Sequence, residues 1–377
     1  MKKKIAIVLD VEEYDWNGGI NYFNNLINLL DSNKFEINII IGFKTIIKKN
    51  KFDKKFKFIK SKLCDPRSLS WFIRKIFFKV FKKDYFLIKF LEKNKFKFLT
   101  HSVSLGNQKK ISVVNWIPDL QPFFLNKNFK KKEISKHYNQ FLDFYKFSDT
   151  LIFSSNTEKK KFKKIFKIKD DNKIKVFNNI PSLINEKKII SKKKLFKKFN
   201  INKNFFFIPN QFWKHKNHIL LFKSIKSLKL KNTQFIFSGQ MDDYRDLNYI
   251  DILKTFIKEN DLNNFIKILG NINYSEVVSL IIHSKALINP SNYEGWSTSV
   301  EEAKIYKKNL ILSDIDTHLE QVKNREFFFK KNNEKSLSKK IKYFNNKILK
   351  KIDFKKIKQE HKIKINNLEY EIEKIYT

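Results

Sequence analysis

Two glutamates, Glu294 and Glu302, stand eight residues apart in the segment Ala286-Leu-Ile-Asn-Pro-Ser-Asn-Tyr-Glu-Gly-Trp-Ser-Thr-Ser-Val-Glu-Glu-Ala303, with Glu301 beside the second. Ser297, Thr298 and Ser299 can cap a helix starting there, and Pro290 and Gly295 mark the turn ahead of it. The first N–H groups of a helix have no partner within it, so such a turn suits an anion such as a diphosphate. Carboxylates beside an anion site are poor phosphate ligands but good acceptors for sugar and ribose hydroxyls. Acids at a helix start also complement its dipole, and the spacing alone leaves both readings open.

A second candidate is Pro209-Asn-Gln-Phe-Trp-Lys-His-Lys-Asn-His218. A lysine in a strand-to-helix loop can neutralise a diphosphate leaving group, as a metal ion does elsewhere. His215 and His218 have no carboxylate or cysteine at ligand spacing, so no metal site is expected. Trp16-Asn-Gly-Gly19 would let the backbone approach a ligand closely. Asn115-Trp-Ile-Pro-Asp-Leu-Gln-Pro122 follows another apolar run, and His318 lies in Ser313-Asp-Ile-Asp-Thr-His-Leu-Glu320, where it could also cap a helix.

Together these segments resemble the retaining glycosyltransferases of family 4, with their Glu-x7-Glu signature and Pro-Ser-x-x-Glu-Gly lead-in. The resemblance is dense from about Phe205 to Val322 and thinner before it. It implies that Glu294 contacts the transferred sugar as a catalytic residue and that Glu302 holds the ribose. The amides of Gly295, Trp296, Ser297 and Thr298 would then face the donor. Lys216 aligns with the family's phosphate-binding lysine, and Gln211 stands where an arginine is usual, as in the subset with Gln-Phe-Trp-x-His-Lys-Asn-His. Asn271 and Ile272 would pass the nucleotide base, and Gly18 and Gly19 would form a cleft loop near the phosphate and the acceptor. Relatives carry Ile-Pro-Asp-Phe-Gln-His with the histidine facing the sugar; Pro122 replaces it here, so Asp119 or Gln121 would supply the polarity, or activity is reduced.

The fold implied is α/β GT-B, two Rossmann-like doubly wound domains facing across a cleft, with a C-terminal helix packing back on the first. The implied reaction is retaining hexosyl transfer from a nucleotide diphosphate sugar. Its acceptor would be a saccharide or lipid-linked saccharide in cell-surface polysaccharide or lipopolysaccharide synthesis, with no cofactor and no metal. The alternatives are a catalytically silent sugar-nucleotide-binding paralogue and a basic nucleic-acid-binding protein.

Short apolar runs that alternate with helical patterns are what must position these residues, and they read as βα units around parallel sheets. Strands are expected at Ile5 to Leu9, Phe35 to Ile41, Phe96 to Thr100, Ile111 to Trp116, Thr150 to Ser154 and Lys175 to Phe177. A second set comprises Phe205–Ile208, Gln234–Phe237, Ile266–Leu269, Ala286–Ile288 and Leu310–Leu312. The domains are therefore read as 1–185, a linker 186–204, 205–350 and a helical tail 351–377.

The net charge of +41 comes from 75 lysines and only 4 arginines among 377 residues, spread along the chain. Base-edge readout and bidentate phosphate clamps favour arginine, so nucleic acid is not the expected partner. The single cysteine, Cys64, excludes an intrachain disulfide and fits a reducing compartment. The basic start, Met1 to Lys4, leads into an apolar run that stops at Asp10, unlike a secretory leader. Lysine interrupts every run before the ~20 apolar residues that a membrane-spanning helix needs. A cytoplasmic protein is expected. Leu69 to Leu91 mixes aromatic and aliphatic residues with Lys75, Lys79, Lys82 and Lys83. That pattern fits a basic amphipathic surface on the inner face of the cytoplasmic membrane, or core helices with a lysine-coated outer side.

Overall fold

The computed structural model describes residues 2–14, 17–243, 245–348 and 352–376. The chain forms two compact units, one of residues 1–120, 131–179 and 363–377, the other of residues 121–130 and 180–362.

The first unit holds a parallel sheet of β1 (Lys3–Leu9), β2 (Phe35–Ile41), β3 (Lys57–Lys60), β4 (Phe96–Thr100), β5 (Ser112–Ile117), β6 (Thr150–Phe153) and β7 (Ile174–Val176). Their spatial order is β3-β2-β1-β4-β5-β6-β7, so the order reverses between β1 and β4. The central strands are apolar on both faces, as strands covered by helices on each side must be. Its helices are α1 (Asn17–Leu29), α2 (Leu69–Phe81) and α3 (Tyr85–Lys93), followed after a helical segment of the other unit by α5 (Lys131–Phe147) and α6 (Asn156–Ile165).

That intervening segment is α4 (Gln121–Phe124), which with the residues up to Lys130 groups with the second unit. This unit's sheet comprises β8 (Asn204–Ile208), β9 (Thr233–Phe237), β10 (Ile266–Ile268), β11 (Leu287–Asn289), β12 (Leu310–Ser313) and β13 (Phe328–Phe329). They run in the order β10-β9-β8-β11-β12-β13, all parallel. Alternation along β8 sends Phe206 and Ile208 into the core on one face and Phe205 and Phe207 into that on the other. The faces are covered by α7 (Lys192–Phe199), α8 (His218–Leu228), α9 (Leu247–Glu259), α10 (Tyr274–His283), α11 (Thr298–Ile305), α12 (Asp316–Gln321) and α13 (Glu334–Asn346).

Several assignments differ from the sequence reading, among them residues 121–130 and 180–185, which group with the second unit. The stretch 186–204 is not a separate linker: α7 buries Leu195 completely and sets Phe196 against Phe205, so it belongs to the second unit. The last helix, α14 (Phe354–Glu373), is shared, and the second unit extends to Lys362. The residues after it join the first unit, where Tyr376 is fully buried between Phe35 and Phe98 with its hydroxyl 2.7 Å from Thr100 Oγ1. Gly18 and Gly19 are not loop residues but form the first turn of α1. Trp16 lies outside the described residues.

Candidate active site

In an open parallel sheet, ligands bind beyond the carboxyl ends of the strands where the strand order reverses. In the second unit that point lies between β8 and β11. The loop after β8 carries Gln211 and Lys216, and the loop after β11 carries Glu294 and leads into α11, which carries Glu302. The site singled out in the sequence is thus at the topological switch point, although its two loops are 78 residues apart in the chain.

The loops are locked to each other by side-chain amides. Asn210 Nδ2 donates to Asn289 Oδ1 (3.3 Å), and Asn289 Nδ2 donates to Glu294 Oε1 (3.2 Å) and Ser297 Oγ (3.0 Å). Ser291 Oγ lies 2.6 Å from both Asn289 Oδ1 and Glu294 Oε1. Gly239, with φ +132°, lets the loop after β9 cross the first loop closely, since a Cβ there would stand 2.5 Å from the Asn210 carbonyl oxygen.

Lys216 Nζ donates to both oxygens of Glu294, at 2.8 and 2.9 Å, and Glu294 is only 6% exposed. Burial alone would push this carboxyl up; the Lys216 ammonium, aided by His318 and His215, outweighs it and holds the group at about 2. Glu294 is therefore a carboxylate at any physiological pH. Glu302 is equally buried but has no cation partner. Burial pushes it up to about 7, against a smaller opposing effect from the Tyr274 hydroxyl that donates to it. Two carboxylates on one turn and helix thus have opposite proton affinities, set by their surroundings.

Glu301, adjacent in sequence, is engaged elsewhere. It pairs with Lys304 (2.7 Å) and accepts from Gln321 Nε2 (3.1 Å). Gln321 on α12 also accepts from the Ser297 amide (3.2 Å) and donates to the Ser297 carbonyl (3.1 Å). This corrects one expectation: the Ser297 N–H already has a protein partner. Gly295, Trp296 and Thr298 lie on the same turn, with Thr298 beginning α11. Thr317 Oγ1 fixes the Glu294 carbonyl (2.7 Å).

His318 is fully buried, and its Nδ1–H donates to the Ser313 carbonyl (2.9 Å), which leaves Nε2 as the acceptor nitrogen. Ser313 Oγ in turn donates to the Ser291 carbonyl (2.5 Å), so His318 and Glu294 share one buried network. His218 is also fully buried and stacks on Phe212 at 4.3 Å. Among the described residues no cluster of three or more His, Cys, Asp or Glu side chains is arranged to hold a metal ion.

Asn271 and Ile272 lie in the loop between β10 and α10, two residues ahead of Tyr274. Tyr274 was missed by the sequence reading; its only signal is its place at the start of a helix in that loop. Arg245 was missed too. Its guanidinium stacks over Trp213 (4.8 Å) and Phe129 (5.5 Å), pairs with Asp243 (3.2 Å) and donates to Gln121 (3.3 Å). Phe124 stacks on Tyr293, next to Glu294, at 5.9 Å. The motif 115–122 is therefore split: Gln121 and Pro122 belong to the second unit, while Asp119, Gly18 and Gly19 belong to the first. There Asp119 is half-buried and its charge acts on His137. The first unit's own reversal point carries Tyr22, stacked on Trp116 at 3.9 Å and 3.0 Å from His101 Nε2.

Two Rossmann-like units of parallel sheet are the architecture of the GT-B glycosyltransferases. The family model "Glycosyl transferases group 1" matches residues 191–361, nearly the whole of the second unit. A glycosyltransferase from Rickettsia africae shares the fold with a TM-score of 0.64 at 18% identity, over 91% of this chain and 88% of that one. HepE (Alr3699) of Anabaena, solved with UDP and glucose, does so with a TM-score of 0.68 at 14% identity, over 91% and 90%. TarM of S. aureus, solved as a point mutant with Fondaparinux, alpha-GlcNAc-glycerol and UDP, gives 0.62 at 12%, over 99% and 96%. No curated protein matches the chain in sequence.

Proposed function

We propose that the protein is a retaining glycosyltransferase that moves a hexosyl group from a nucleotide diphosphate sugar to a saccharide, with a lipid-linked saccharide in cell-surface glycan synthesis as the natural acceptor. The observation that carries this reading is the buried Lys216–Glu294 pair at the switch point of the second sheet, beside the N-terminus of α11 and the second buried carboxylate, Glu302. The matched family and the solved structures with bound UDP support it.

In this reading the diphosphate takes the place of Glu294 as the partner of Lys216, whose ammonium then stabilises the charge that develops on the leaving phosphate. Released from the lysine, Glu294 accepts hydrogen bonds from the donor sugar, and Glu302 accepts them from the ribose. The acceptor hydroxyl attacks the anomeric carbon from the face the diphosphate leaves, and its proton goes to the leaving phosphate oxygen. The configuration is then retained without metal or cofactor. Either Asp119 or Gln121 supplies the polarity of the histidine that Pro122 replaces, or activity is reduced.

The test is the thermal shift of the full chain with a panel of nucleoside diphosphates and their sugars, repeated for Glu302→Ala, because a ligand that binds only the folded state stabilises it. One nucleotide class should stabilise the protein and lose its effect in the variant. Glu294→Ala should abolish transfer while leaving nucleotide binding. A protein that binds nucleotide sugar but transfers nothing to any acceptor would be the catalytically silent paralogue, and no shift with any nucleotide would sink the reading.

A further inference from the structure

Helix α2 is built inside out. Its one fully buried side chain is an arginine, Arg74, at 1% exposure. Arg74 Nε binds Asp84 Oδ2 (2.7 Å), Nη1 donates to the Leu63 carbonyl (2.8 Å), and Asp10 lies 3.4 Å away. Most of its apolar residues face outward instead, with Trp71 and Phe78 half-buried. Leu69, Phe72 and Ile76 are 74%, 56% and 44% exposed, and Phe77, Val80 and Phe81 are 37%, 64% and 65% exposed. They recur at the three- and four-residue spacing of one helix face. A helix that docks on its own core through such a stripe would turn it inward; here the buried side chain is the ion-paired Arg74.

The charge around the stripe has one sign. No Asp or Glu occurs between Pro66 and Lys83, whereas Lys79, Lys82 and Lys83 follow the apolar residues; Lys75 is paired with Asp10 (2.5 Å), and Asp84 is consumed by Arg74. The surface continues into α3, where Tyr85 is 45% exposed with Lys89 Nζ 4.6 Å over its ring. We infer that this face of α2 and the start of α3 docks in the plane of an anionic lipid bilayer, its aromatic and aliphatic side chains entering the acyl boundary and its lysines meeting the headgroups. Charge complementarity selects lipid over a second copy, which would set one lysine-rimmed stripe against another on chains of net charge +41. The helix is 13 residues long, and no described helix is long and apolar enough to cross a membrane, so it lies in the interface. This deepens the proposal of a lipid-linked acceptor and is independent of the donor site.

The test is co-sedimentation of the full chain with phosphatidylcholine vesicles, with and without phosphatidylglycerol, at physiological ionic strength. The wild type should bind the anionic vesicles. Phe72→Ser/Val80→Ser/Phe81→Ser, which keeps every lysine, should lose binding at least ~10-fold, since each side chain removed contributes apolar area to insertion. Leu247→Ser on α9, at 78% exposure, should change nothing. Nucleotide-induced stabilisation should be intact in the triple variant, so failure here is separable from failure of the proposed activity. The inference is overturned if the wild type ignores anionic vesicles or if the triple variant binds them as the wild type does. A dimer in sedimentation velocity that the triple variant abolishes would also overturn it, by assigning the face to a second copy.

Discussion

Glu294 and Glu302 differ in proton affinity because one has an ammonium against it and the other only a phenol. Ionised, Glu302 accepts from both hydroxyls of a ribose diol with its two oxygens; protonated, it gives up part of that acceptor capacity to its own O–H. Nucleoside diphosphate affinity should therefore rise as pH increases through about 7, and Glu302→Gln should both weaken binding and flatten that dependence in titration calorimetry. The same shift has a stability consequence of opposite sign. Between the ordinary value of 4.5 and about 7 the folded chain holds a proton that the unfolded chain releases, so this group's contribution to stability falls as pH rises through that window. Lys216→Ala leaves a buried carboxylate without its cation and should destabilise the protein by roughly 3–5 kcal/mol in denaturant unfolding. The double variant Lys216→Met/Glu294→Gln should recover most of that loss but not nucleotide binding, which separates the structural role of the pair from its role toward the ligand.

At the scale of elements, the turn before α11 is held from outside by α12. Gln321 accepts from the amide of Ser297, shares its carbonyl with the Glu301 amide, and reaches the Glu301 carboxylate. Gln321→Leu should cost about 1–3 kcal/mol, the desolvation of buried groups left unpaired, and should weaken nucleotide binding with no contact to the ligand of its own. Elements with strong apolar patterns, such as Phe35–Ile41 and Phe205–Ile208, were legible in the sequence to within a residue. Lys57–Lys60 was not, because a strand on a sheet edge is covered less and its lysines hide the pattern. Helix α2 shows a further limit: its period was plain, but which side faces inward depends on Arg74 finding Asp84 and Asp10.

Across the whole molecule, the two units are not two consecutive pieces of chain. Residues 121–130 group with the second unit and 363–377 with the first. The tail is more than a trailing helix, since Tyr376 fills a fully buried position in the first unit. Tyr376→Ala should cost about 3–5 kcal/mol for the lost ring and the cavity it leaves. Deletion of 363–377 should lower the melting temperature further, because Phe35 and Phe98 lose their cover; an unchanged melting curve for both would show that the tail carries no stability.

The sequence by itself determined the parallel α/β class, the strand-to-helix turns that carry the candidate site, and the residue types within them, because these follow from short-range periodicity and turn chemistry. The tertiary structure decided which residues became partners. Lys216 meets Glu294 because the strand order makes β8 and β11 neighbours. Glu302 meets Tyr274, and Glu301 meets Gln321, because α10 and α12 reach α11 from different parts of the chain. Burial and partner choice set the charge of each site group, and both arise only when distant loops share one edge of a sheet.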